Sequence, residues 1–242
     1  MKNKISLAIL LFYSASAFSQ AGTNSIAMSN EFGMLAAHGG VPTSFATFQT
    51  YSSNQVDGTQ FFLPDWSKGE VTLNDKEVFN NGILLAYDKV RQELFIKQKD
   101  AADILLGTKE NINTFSLKDA VREYSFVNSA VFSNVKPEVY YQVLAGDMNK
   151  LSLLKYTKTS FVKADKTDMM KQKEGNVYDA FVDKVTYYIS KGKAEPVQIQ
   201  FKTKSLKKIF ADLNININKY ISDHPESINE DYMISMVEEL NK

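Results

Sequence analysis

The chain has 242 residues, 44% of them hydrophobic and 12% aromatic, with Lys+Arg 28 against Asp+Glu 28 and no cysteine. This composition supplies an apolar core and excludes disorder of the whole chain, while the missing cysteines exclude disulfide stapling and a lipid-anchored cysteine. The even charge balance lacks the basic excess that nucleic-acid binding requires.

Lys2 and Lys4 precede an apolar run from Ile5 to Tyr13, too short to cross a bilayer core, and small residues from Ser14 to Ser19 follow it. This pattern predicts a secretory signal peptide over residues 1–19, cut between Ser19 and Gln20, with a cut after Ala17 as the neighbouring choice. The expected product is exported, periplasmic or secreted, soluble and not a lipoprotein. Loss of Lys2 and Lys4 leaves 26 basic residues against 28 acidic ones, a net charge near −2. No later apolar run has spanning length, so no integral helical span is expected.

Residues 20–58 are rich in Ser, Thr, Asn and Gly and carry no sustained apolar period. Phe32, Met34, Leu35, Phe45, Phe48 and Tyr51 are nevertheless too apolar for a pure linker, so the stretch reads as an extended, partly ordered N-terminal arm lying on the main body, with a short strand over residues 44–50. Residues 59–242 read as a β-rich body with a C-terminal helical pair. Val71-Thr72-Leu73 and Val78-Phe79 flank Asn74-Asp75-Lys76-Glu77, residues that tolerate the left-handed backbone of a tight turn. Ile83–Tyr87 and Glu93–Lys97 form the next hairpin, and further strands are predicted at 114–117, 124–127, 139–145 and 151–159. The charged stretch 163–176 reads as a polar loop. Lys184–Ser190 and Val197–Lys202 then flank a turn at Gly192, with Pro196 at a strand start.

After residue 203 the period changes. Leu206, Ile209, Phe210, Leu213, Ile217, Tyr220 and Ile221 recur at three- and four-residue steps, predicting one amphipathic helix over 205–222. Asp223-His224-Pro225 ends it. Ser227 and Glu230 have capping-box spacing for a last helix that buries Met233, Met236, Val237 and Leu240. The expected fold is therefore α+β: an antiparallel β-meander, roll or sandwich-like body with two C-terminal amphipathic helices.

The motifs of familiar chemistry are missing. No Gly-x-Ser-x-Gly elbow, phosphate loop or dinucleotide fingerprint occurs. His38 and His224 are the only histidines, neither beside ligands at metal spacing, so no metal and no cofactor is expected. Asp57-Gly58-Thr59 reads as a turn, and Asp165, Asp168 and Glu174 lack the spacing of a calcium loop. The catalytic residues of any reaction are unknown from sequence. Aromatic residues make the binding candidates: Trp66 and Phe62 in Phe61-Phe62-Leu63-Pro64-Asp65-Trp66, and Tyr141 and Tyr188, because Tyr140-Tyr141 and Tyr187-Tyr188 each put one ring on either face of a strand.

The Ser19-Gln20 junction, Trp66-Ser-Lys-Gly69-Glu-Val71-Thr-Leu73 with Leu85-Ala-Tyr87-Asp88, Leu144-Ala-Gly146 with Leu153-Leu154-Lys155, and Tyr187-Tyr188-Ile189 before Lys204-Ser205-Leu206 together carry a resemblance. They resemble exported β-rich proteins of Bacteroidota-type bacteria to which no function is assigned. The resemblance covers about residues 58–240, leaves the arm outside, and implies compartment and fold rather than activity.

These observations favour an exported, non-enzymatic interaction or binding protein of the cell envelope, with an envelope protein or a glycan as its partner. A periplasmic or secreted hydrolase of glycans or peptides, with carboxylates gathered from separate loops, is the second reading. A small-ligand carrier with an apolar crevice is the third.

Overall fold

The computed structural model describes residues 30–43, 56–99, 102–133, 135–136, 138–164 and 178–242. The Ser19-Gln20 cut, the strand expected at 44–50 and nearly all of the 163–176 loop lie outside these residues.

Two sheets dominate. The smaller has four strands in the order β1 (Gly40–Thr43), β7 (Ile104–Gly107), β6 (Glu93–Gln98) and β5 (Ile83–Asp88). The larger runs β13 (Val197–Ile199), β12 (Asp179–Lys191), β11 (Leu151–Val162), β10 (Tyr140–Gly146), β9 (Glu123–Asn128), β8 (Ile112–Lys118), β3 (Lys68–Leu73) and β4 (Val78–Phe79). The short β2 (Val56–Asp57) joins it by parallel pairing to β12. Neighbours are otherwise antiparallel among the described residues, as short loops between successive strands require. The α+β class with a sandwich-like body is thus observed.

Local chemistry fixes the turns. The β3–β4 turn places Lys76 at φ 73°. Gly146 closes the β10–β11 turn at φ 98°, where a Cβ would lie 2.0 Å from the Leu151 carbonyl oxygen. Gly69 has a different task. A Cβ there would meet the Ser116 carbonyl oxygen at 1.9 Å, so only glycine lets β3 approach β8 this closely.

The stretch expected to be an extended arm differs where it is described. Residues Asn30–His38 form a helix, α1, whose Phe32 and Leu35 are fully buried in the main core with Val71, Leu85, Ile96 and Ile112. Phe32, Leu35 and Ala36 have the three- and four-residue spacing of a helix face, which outweighs the polar composition around them. β7 was also not anticipated. Ile104 and Leu105 are buried inside the small sheet, and so short an apolar run shows no alternation.

The C-terminal region has three helices: α2 (Thr203–Asp212), α3 (Asn218–Asp223) and α4 (Glu230–Leu240). The single helix expected over 205–222 is interrupted because Asn214 turns left-handed at φ 57°, and the Ile215 N–H returns to the Phe210 carbonyl. Leu206, Phe210, Ile217 and Tyr220 still face one core with Met233, Met236 and Val237. Asn229, rather than Ser227, caps α4: its side chain accepts from the Tyr232 N–H at 2.8 Å. Glu230 is thereby free for another partner.

Both layers lie on one face of the large sheet. Tyr140 and Phe126 on that face enter the core shared with the small sheet. Gln142, two residues on from Tyr140, pairs with Phe126 on one side and Lys155 on the other, and Lys155 reaches α4. The small sheet and the helices therefore stand side by side over β9–β12, with a gap between them. No helix among the described residues is long and apolar enough to cross a membrane.

Candidate functional site

The gap is a cleft of 510 Å³. Its floor is the large sheet, through Gln142 of β10, Lys155 and Thr157 of β11, and Asp183 and Val185 of β12. One wall carries Phe62, Leu63 and Lys89, and the opposite wall carries Glu230, Asp231 and Ile234 from the first turns of α4. Arg122, Glu123 and Tyr124 close one end. Its volume falls within the range of about 300–1,000 Å³ typical of small-ligand sites.

Strand alternation builds the floor. Lys155, Thr157 and Thr159 lie two apart on β11 and face Tyr187, Val185 and Asp183 on β12 in register. Two ion pairs then lock the walls to it. Lys89 Nζ donates to both Asp183 oxygens at 3.1 and 2.8 Å, and Asp183 Oδ1 also accepts from the Thr159 hydroxyl at 2.5 Å. Lys89 is held by the β5–β6 turn. There Asp88 accepts from the Val90 and Arg91 N–H groups, Gln92 sits at φ 58°, and the Gln92 amide donates to the Lys89 and Thr157 carbonyls.

On the other wall, Glu230 Oε2 accepts from Lys155 Nζ at 2.8 Å and from the Tyr187 hydroxyl at 2.6 Å. Partial burial pushes the Glu230 carboxyl up, but the Lys155 and Tyr187 hydrogen bonds and the charges of Lys155 and Arg122 outweigh it and hold it below the usual carboxylate range. At neutral pH this group accepts hydrogen bonds and has no proton to give. Tyr187 is raised in turn, by burial and then by the carboxylate to which it donates.

At the end wall the Arg122 guanidinium lies 4.7 Å from the Tyr124 ring centre and its Nε donates to the Tyr124 hydroxyl, which donates to Asp119 at 2.9 Å. The backbone N–H groups of Arg122 and Val121, with that hydroxyl, hold the Asp119 carboxyl below its ordinary range.

Of the aromatic candidates, Phe62 belongs to this cleft, its ring edge-on to Tyr124 and Phe126 at 4.9 and 5.0 Å. Trp66 does not. It packs with Phe61, Ala86, Phe95 and Ile104 on the small sheet, with Lys97 Nζ 4.7 Å from its ring. Tyr141 and Tyr188 meet at 5.3 Å on the opposite face of the large sheet, together with Tyr156 and Phe132. Burial, with Tyr188 and Tyr156 beside it, pushes the Tyr141 phenol up to about 12. The four candidates are therefore spread over three places.

His38 ends α1, and the His224 ring stacks on Tyr220 with Nδ1 3.0 Å from the Tyr220 carbonyl. Gly58 adopts φ 77° in a turn, and Asp165, Asp168 and Glu174 fall outside the described residues. Among the described residues, no group of three or more His, Cys, Asp or Glu is placed to hold a metal ion.

Lys89, Gln142, Lys155, Thr157, Asp183 and Glu230 were not anticipated from sequence. The polar series Lys155, Thr157, Thr159 at two-residue steps within a strand is a readable signal of a polar inner face. The Lys89–Asp183 pair spans 94 residues and has no local sign. No family model matches the chain, and neither a curated protein nor a solved structure shows significant similarity to it.

Proposed function

We propose that the protein is an exported, non-enzymatic binding protein of the cell envelope, and that the cleft between the small sheet and α4 is its ligand site. Export rests on the basic, apolar and small-residue sequence of residues 1–19, and the proposal places the chain with the exported β-rich proteins that it resembles. The observation that carries the binding reading is the cleft itself. A rigid sheet floor and two walls, tied together by Lys89–Asp183 and Lys155–Glu230, surround side chains that keep unused hydrogen-bonding capacity. Glu230 held as an anion suits recognition better than proton transfer. The polar lining suits a polar ligand better than the apolar cargo of a carrier.

A benzophenone photo-crosslinker placed at Leu63 on the cleft wall, and at Val78 on β4 as a distant control, tests the reading in cells that export the protein. An adduct specific to Leu63, carrying a chemically unaltered ligand, is expected. Equal labelling from both positions, or recovery of a cleaved product, contradicts it.

A further inference from the structure

The cleft has a second property besides its shape: its two lysines are already partnered, the other charges of its lining, Arg122 against Glu123 and Asp231, give no cationic excess, and neutral hydrogen-bonding groups are left over. Asp183 takes Lys89, and Glu230 takes Lys155, so neither lysine presents an uncompensated charge to an incoming anion. Lys155 spends one of its donors on Glu230, and both bonds to Glu230 fall on Oε2, so further Lys155 donors and Glu230 Oε1 have no bond among the described residues. The Gln142 amide and the Thr157 hydroxyl, both on the floor, likewise make no side-chain hydrogen bond among the described residues. Donors and acceptors thus alternate over a nearly charge-balanced floor, with the Phe62 and Tyr124 rings at its edge.

Each part of this pattern selects against some ligands. A phosphate or carboxylate gains most from unpaired cations. An extended peptide gains most from a free sheet edge offering a row of main-chain groups, whereas this floor is a sheet face. A hydroxyl both donates and accepts, and a sugar ring adds C–H surface that packs on aromatic rings. Resting on the reading of the cleft as the ligand site, we propose that its ligand is a neutral glycan. Its hydroxyls bond to Gln142, Thr157 and the spare groups of the Lys155–Glu230 pair, and one sugar face lies against Phe62.

The chain lacking residues 1–19 is titrated by calorimetry and saturation-transfer NMR with maltotriose, cellotriose and chitotriose, with trigalacturonate as the anionic and trialanine as the peptide comparator. At least one neutral trisaccharide is expected to bind with saturation transfer to its ring protons. Gln142→Leu should weaken it about tenfold, the loss of one or two hydrogen bonds. Thr157→Val should weaken it by about threefold or more, with both variants melting like the parent. Raising salt should change the Kd by less than about twofold, because the ligand carries no charge to screen. Binding of trigalacturonate or trialanine alone, lost in Gln142→Leu, overturns the neutral glycan and leaves the cleft as a ligand site. Sugar binding indifferent to Gln142 and Thr157 overturns the placement of the sugar. No binding by any neutral trisaccharide overturns the glycan class, while the Leu63 cross-link separately decides whether the cleft binds anything.

Discussion

Removing either partner of the Lys89–Asp183 pair should have unequal consequences, because the two side chains are unequally buried. The Lys89 side chain is 9% exposed and that of Asp183 is 42% exposed. In Asp183→Ala the ammonium keeps its burial and loses both of its carboxylate acceptors. Breaking a fully buried pair this way costs about 3–5 kcal/mol, and the solvent reaching the Asp183 side reduces the expectation to about 2 kcal/mol. In Lys89→Met the apolar stem still packs, and Asp183 retains the Thr159 hydroxyl and water, so the loss should be about 0.5–1 kcal/mol. The double variant should recover most of the Asp183→Ala loss, since no unpaired ammonium is left. Urea unfolding of the four proteins measures these differences as a double-mutant cycle. If Lys89→Met costs as much as Asp183→Ala, or the double variant is no better than Asp183→Ala, the pair is not what docks the β5–β6 turn on the large sheet.

Other consequences follow from single contacts. Gly69→Ala forces a Cβ against the Ser116 carbonyl and should cost about 3 kcal/mol or more in thermal or urea unfolding, whereas an exposed strand position would tolerate the change. The Asn241 side chain both donates to the Leu151 carbonyl at 2.8 Å and accepts from its N–H at 3.1 Å, pinning the end of α4 to β11. Asn241→Ala should therefore cost about 1–2 kcal/mol and raise amide exchange in α4 selectively. Because the Glu230 carboxyl is lowered on folding, its contribution is complete above the unfolded value of about 4.3 and is lost as pH falls through the lower folded value. The parent should thus exceed Glu230→Gln in stability by a constant amount above about pH 5, at most about 1 kcal/mol for a pair that solvent partly reaches, and the gap should close in more acidic unfolding experiments.

Local signals made most of the body legible. Alternation and turn residues marked the β3–β4, β5–β6 and β12–β13 hairpins, and the change to a three- and four-residue period at Leu206 marked the helical end. What escaped has physical reasons. In α1, Gly33 and the polar surroundings masked a helix face of only Phe32, Leu35 and Ala36, and burial in the core between the two sheets supplies what propensity lacks. Asn214 broke an otherwise continuous apolar stripe through backbone conformation, which hydrophobic spacing does not encode. The cleft was the least legible. Aromatic residues drew the eye to Trp66, Tyr141 and Tyr188, yet these pack on the small sheet and on the far face of the large sheet. Only Phe62 lines the cleft, whose polar floor depends on the register of β10, β11 and β12 and whose walls arrive from residues 89 and 230.

Amide chemical-shift mapping of the isotopically labelled chain lacking residues 1–19, titrated with neutral oligosaccharides released from the producing cell's own envelope, tests the central claim most directly. The cleft as ligand site predicts perturbations at residues 123–124, 142–144, 155–157, 183–185 and 230–234. Perturbations centred instead on Tyr141, Tyr156 and Tyr188, or on Trp66, contradict it.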